Sequence, residues 1–118
     1  MTWKLAMVAL AASGVMASEP AYAHARLISS TPASGSTTTA PRTISLTFSE
    51  RFAAPFSSID VEDAGGRGVS LRKTVSEDGK TLGGSFAAPL PTGTYRVTWA
   101  IAAADGHRMT GNYSFTVR

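Results

Sequence analysis

The chain contains two histidines and no cysteine, and both histidines stand where their chemistry can matter. His107 follows Asp105-Gly106, and His24 directly follows Ala21-Tyr22-Ala23. With no thiolate present, a metal would have to be held by nitrogen, oxygen or thioether, which argues against structural zinc and iron–sulfur clusters. A histidine at a free amino terminus offers both its α-amine and its ring nitrogen to one ion. The amine has an ordinary pKa near ~8, so a metal cation competes with one proton for it at neutral pH.

His24 becomes such a terminus only if the preceding residues are removed. A short start with one positive charge, Met1 to Lys4, leads into the apolar run Leu5 to Ala17, which has the length of a signal-peptide core and is too short for a stable membrane anchor. Ser18-Glu19-Pro20 then breaks any helix, and Ala21 and Ala23 are the small residues that a signal peptidase reads. Cleavage after Ala23 is expected, dividing the chain into a signal peptide, 1–23, and one small exported domain, 24–118.

A third nitrogen from His107 and an oxygen from Asp105 would complete a tetragonal N,N,N,O set around Cu(II), the ion that heads the divalent affinity series. Two positions apart, Asp105 and His107 face the same way if the backbone is extended, and Gly106 lets the loop bend. Each residue also has an ordinary reading. A loop histidine is commonly a surface residue, and Asp-Gly is a common turn.

The elements that must position these residues read as strands. Thr43 to Phe48 alternates polar and apolar residues, with Ile44, Leu46 and Phe48 on one face; Ser57 to Asp63 does so with Ile59 and Val61. Tyr95, Val97, Trp99 and Ile101 share a face, as do Tyr113, Phe115 and Val117. Ala25 to Ser30, Val69 to Val75 and Thr81 to Phe86 are weaker candidates, giving about seven strands. Turn sequences separate them at Pro32 to Gly35, Asp63 to Gly66, Glu77 to Lys80 and Pro91 to Gly93. No segment after Ala23 shows a sustained helical period, so an all-β sandwich or barrel is expected.

In order along the chain, His24-Ala25-Arg26-Leu27, Ser30-Thr31-Pro32-Ala33-Ser34-Gly35, Leu46-Thr47-Phe48-Ser49-Glu50, Pro89 to Trp99 and Asp105-Gly106-His107 resemble the CopC copper-resistance family. The resemblance covers essentially all of 24–118. It implies a seven-stranded, immunoglobulin-like Greek-key sandwich or barrel in the periplasm that binds Cu(II), one per chain, without catalysis. It implies His24 as a bidentate ligand, His107 as the second imidazole and Asp105 as the carboxylate. Glu50 matches a carboxylate that lies beside the copper and orients the amine or a bound water; on its own residues it also reads as the polar end of a strand.

An inner-membrane importer of the CopD type is the implied partner, and a monomer is expected. Some relatives hold Cu(I) on a methionine-rich loop. Here Met1, Met7 and Met16 precede Ala23, leaving Met109 alone, so a single Cu(II) site is expected and no Cu(I) site.

Two other functions compete. Copper-dependent polysaccharide monooxygenases also use an amino-terminal histidine, but need an open coordination position and a flat aromatic surface; here the aromatics fall on expected core faces. A metal-free sandwich for adhesion or assembly needs only the fold. The formal charge of +3 is spread over scattered basic residues, with no stripe of the kind that binds nucleic acid.

Overall fold

The computed structural model describes residues 25–118. Residues 1–23, expected to be a signal peptide, and His24 lie outside the described residues. Eight strands are present among those described: β1 (Leu27–Thr31), β2 (Thr37–Thr38), β3 (Thr43–Phe48), β4 (Ser58–Glu62), β5 (Leu71–Val75), β6 (Thr81–Phe86), β7 (Gly93–Ala102) and β8 (Arg108–Val117), with one 3-10 turn at Ala54–Phe56. They form two four-stranded sheets, ordered β1-β3-β6-β5 and β2-β8-β7-β4. The architecture is an all-β sandwich.

The alternation read from the sequence is what packs the two sheets together. Ile44, Leu46 and Phe48 from β3, Ile59 and Val61 from β4, Tyr95, Val97, Trp99 and Ile101 from β7, and Tyr113, Phe115 and Val117 from β8 are all buried in one core with Leu82 of β6. In a pleated strand, successive side chains point to opposite faces, so one face per strand suffices to fill the space between the sheets.

The strand count differs from the expected seven. β2 is only two residues long and pairs in parallel with Thr116 and Val117 of β8, too short for any period to register in the sequence. β8 also starts at Arg108, well before Tyr113. Gly111 and the polar residues around it interrupt the apolar alternation there. The long antiparallel ladder with β7, from Gly93↔Val117 to Ala102↔Arg108, holds the whole segment extended.

A charged residue links β5 to the segment before β4. Lys73 shares the alternation face of Leu71 and Val75 in β5 but is exposed, and its Nζ donates to the carbonyls of Ala54 at 3.0 Å and Ser57 at 2.8 Å. The ammonium thereby joins the Ser57 N–H and Oγ on the Ala54 carbonyl and also takes up the Ser57 carbonyl at the end of the 3-10 turn. This fixes the connection from β3 to β4, which passes beside the Asp105 to His107 loop.

Candidate metal centre

Asp105 and His107 lie at the tip of the β7–β8 hairpin. The Ala103 N–H donates to the His107 carbonyl at 2.8 Å, and the Gly106 N–H donates to the Ala103 carbonyl at 2.9 Å. Gly106 has φ +90°, the left-handed conformation that a three-residue hairpin loop needs and that glycine adopts without penalty. Asp105 folds back on the loop: its Oδ1 accepts the His107 N–H at 2.9 Å. Its other oxygen, Oδ2, is 3.6 Å from His107 Nδ1.

The two side chains are thus brought together by a tight turn. The extended backbone expected from their spacing is not what pairs them. The turn bond needs an acceptor two residues before His107, so Asp105 carries a structural task and a potential ligand task on different oxygens. Both side chains face solvent, 47% exposed for Asp105 and 60% for His107.

Glu50 is exposed and belongs to the segment after β3. That segment runs beside the hairpin: Phe52 bridges to Ala103, and the Ala53 N–H donates to the Ala102 carbonyl at 2.9 Å. On its other side it meets the start of the described chain. Arg26 donates its N–H to Ser49 Oγ at 2.8 Å, and Ser49 returns its N–H to the Arg26 carbonyl at 2.8 Å. Ala25 is 1% exposed and part of the core.

The three motifs that carry the candidate ligands therefore converge on one end of the sandwich. Among the described residues they do not form a group of three acid or histidine side chains able to hold a metal. The structure pairs Asp105 with His107 and leaves Glu50 outside that pair; His24 is not among the described residues.

Beneath this end lies an aromatic cluster. The Phe48 ring meets Phe52 edge-on at 5.6 Å and Trp99 edge-on at 5.0 Å, arrangements that add to the area these rings bury. Two cavities lie elsewhere in the fold. One of about 450 Å³ is lined by Val69, Pro89, Leu90 and Tyr95, and one of about 460 Å³ by Pro41, Arg42 and Phe86, both at the opposite end from Asp105 and His107.

A second hairpin, β5–β6, supports the Glu50 segment. Its tip offers the Lys80 carbonyl to the Phe48 N–H at 2.8 Å and the Gly79 carbonyl to the Phe52 N–H at 3.0 Å. Asp78 organises that tip, its Oδ1 accepting from Ser76 Oγ at 2.6 Å and from the Lys80 N–H at 3.0 Å. The hydrogen bond from Ser76 and then that from Lys80 hold the Asp78 carboxyl below its ordinary value of 3.8, with the charges of Lys80 and Arg51 adding to the effect.

A carboxyl whose folded pKa is depressed stabilises the fold above its unfolded pKa and loses that contribution as pH falls through the lower folded value. A carbon-13 NMR titration of Asp78 should have its midpoint below 3.8. Acid-induced loosening of the Lys80 amide, read by hydrogen exchange, should disappear in Asp78→Asn.

Comparison with known proteins explains why these motifs converge. The family model of the CopC domain matches residues 27–118. The chain is 37% identical to copper resistance protein C of Pseudomonas syringae pv. tomato, the match covering 98% of this chain and 97% of that protein. This chain belongs to the CopC family. It is also 38% identical to copper resistance protein C of Escherichia coli, over 83% of this chain and 84% of that one.

Among solved structures, PcoC, described as a methionine-rich copper resistance protein from Escherichia coli, superposes with a TM-score of 0.76 at 36% identity, covering 80% of this chain and 99% of its own. CopC from Methylosinus trichosporium OB3b superposes with a TM-score of 0.73 at 27% identity, covering 80% and 93%. Copper is thus the metal associated with this family.

The donors present suit the oxidised ion. An imidazole and a carboxylate are nitrogen and oxygen ligands of the kind Cu(II) accepts, whereas Cu(I) prefers soft sulfur. PcoC is called methionine-rich. In this CopC-family chain Met109 is the only methionine after residue 23, and it is partly buried against the core. Relative to that description, this sequence departs from its relative in its sulfur content.

Proposed function

We propose that the protein is processed after Ala23 and that mature 24–118 binds one Cu(II) ion in the periplasm. His24 supplies its amine and ring, His107 a second imidazole and Asp105 a carboxylate oxygen, with Glu50 beside the ion. The observation that carries this reading is the convergence at one end of the sandwich. The Asp105–His107 pair, the Glu50 segment and the anchored Ala25, to which His24 is covalently joined, are tied together by the Phe52–Ala103 bridge and the Arg26–Ser49 bonds.

Each element supplies a distinct part of the chemistry. The hairpin holds one imidazole and one carboxylate in reach of each other and in contact with solvent, so that the ion can enter and leave. Anchoring of Ala25 places the start of the amino-terminal arm at that same end, which reduces the ordering needed when the chelate closes. The ligands must lose protons to bind, so acid releases the copper.

The function is binding, either to sequester copper or to pass it to an inner-membrane importer of the CopD type, by a monomer that catalyses nothing. A platform for a polymeric substrate would need several exposed aromatic rings. Phe56 is the exposed large aromatic among the described residues, at 66%.

The test is a Cu(II) titration of mature 24–118 followed by electron paramagnetic resonance, beside the same protein with one extra amino-terminal glycine. One tight tetragonal site that the glycine abolishes or greatly weakens is the expected result. Equal weak binding by both proteins would refute the proposal, and rapid ascorbate-driven peroxide formation would replace it with an enzymatic one.

A further inference from the structure

The first residues of a domain usually fray unless something ties them down. Here both backbone polar groups of Arg26 are taken by a single residue: the N–H by Ser49 Oγ and the carbonyl by the Ser49 N–H, each at 2.8 Å. Regular pairing provides only part of this support: the Ser49 N–H bond continues the register that pairs Leu27 with Phe48. The β1–β3 register shifts between Leu27 and Ser29, which separates this short terminal stretch from the rest of the ladder, and the Ser49 hydroxyl adds the bond that backbone pairing does not supply.

Ser49 is itself held from two directions. The residue before it is bonded to Lys80, and Phe52, three residues on, is bonded to Gly79 and bridged to Ala103. The path from Arg26 through Ser49 and Phe52 to Ala103 leads directly to the hairpin that carries Asp105 and His107. One bond of the Arg26 pair uses a backbone N–H that nearly any residue supplies. The other requires a side-chain acceptor at position 49.

We propose that the Ser49 hydroxyl is a positioning residue for the metal centre. It holds the amino-terminal arm at a fixed place relative to the Asp105–His107 hairpin, so that the chelating groups joined to Ala25 close on an ion already held by His107. This rests on the function proposed above. Consecutive Cα atoms are ~3.8 Å apart, so immobilising Ala25 and Arg26 confines the origin of the terminal chelate. Groups fixed in advance lose less freedom on binding.

The test compares Cu(II) affinities of the mature protein and its Ser49→Ala and Ser49→Thr variants by competition with a chelator of known affinity, each also made in a His107→Ala background. Ser49→Ala should weaken binding about tenfold, equivalent to about 1.4 kcal/mol, and Ser49→Thr should restore it. In the His107→Ala background, Ser49→Ala should change nothing, because a terminal chelate with no second arm to meet gains nothing from being held in place. A general loss of stability would not disappear in that background.

Should Ser49→Ala fail to fold, Ser49→Val against Ser49→Thr makes the same comparison, since the two differ in little but the hydroxyl. Wild-type affinity in a folded Ser49→Ala, no recovery with Thr, or an equal loss in the His107→Ala background would each overturn the role of Ser49 alone. If the unmutated mature protein binds Cu(II) no better than its glycine-extended form, the proposed function fails and this inference with it.

Discussion

His107→Ala should weaken Cu(II) binding at least about 100-fold, since losing only the hydrogen-bond partner of a metal ligand already costs about 10–100-fold. The fold should survive. The ring is 60% exposed, and both hydrogen bonds that close the hairpin through His107 use its backbone. The clearest reading is thermal. With copper at 100 times the wild-type dissociation constant, the metal stabilises the wild type by about 2.7 kcal/mol, but a variant bound 100-fold more weakly by only about 0.4 kcal/mol.

The metal-free proteins should melt together. Asp105→Asn refines the result: the amide oxygen can still accept the His107 N–H that shapes the turn, while the charge is gone, so affinity should fall without loss of the hairpin. Unchanged affinity in His107→Ala would mean that the amino-terminal chelate acts alone and that Asp105-Gly106-His107 is only a turn.

The candidate site was partly legible because its residues are rare and its motifs recur in order. Two histidines, one directly after Ala21-Tyr22-Ala23 and one behind Asp-Gly, stand out in a chain without cysteine. What sequence could not supply was the means of assembly. Spacing placed Asp105 and His107 in a loop, facing the same way if extended, with Gly106 free to bend; the Asp-to-backbone bond that closes the turn around a glycine at φ +90° is seen only in the fold. Ser49 drew no attention beyond its place in the family motif, since a hydroxyl next to a strand end is common. Its partner, Arg26, is 23 residues away and is revealed only by the fold.

The strands were legible wherever one face is buried and the other wet, because that condition writes a period of two into β3, β4 and β7. Where a different force holds the chain, the pattern disappears. The first half of β8 is extended because β7 lies along it, and two-residue β2 because the end of β8 does. Lys73, on the alternation face of β5 that Leu71 and Val75 share, reads as a break in alternation and is exposed. Its ammonium reaches the Ala54 and Ser57 carbonyls, a pairing that only the fold reveals.

Gly111→Ala should be the most damaging single-methyl change in the β8 ladder. Gly111 lies opposite Trp99 in the register, and the indole covers it so closely that an added Cβ would clash with Trp99 Cζ2 and lie 2.7 Å from Cε2 and 3.0 Å from Nε1. The ring has little room to retreat, being 8% exposed and packed edge-on against Phe48. Overpacking of this kind costs about 1–3 kcal/mol, and in a domain of this size each kcal/mol lowers the melting temperature by about 4–8 °C. A loss of roughly 4–24 °C is expected by thermal denaturation.

The cause can be isolated by a second change. In Trp99→Leu, itself destabilising because a cavity replaces the indole, adding Gly111→Ala should cost little or even help, since the new methyl then fills space. Equal penalties in both backgrounds would assign the cost to the backbone of β8. Coupling between the two would show that the strand carrying the hairpin is held in place by an aromatic ring whose room was made by the absence of a side chain.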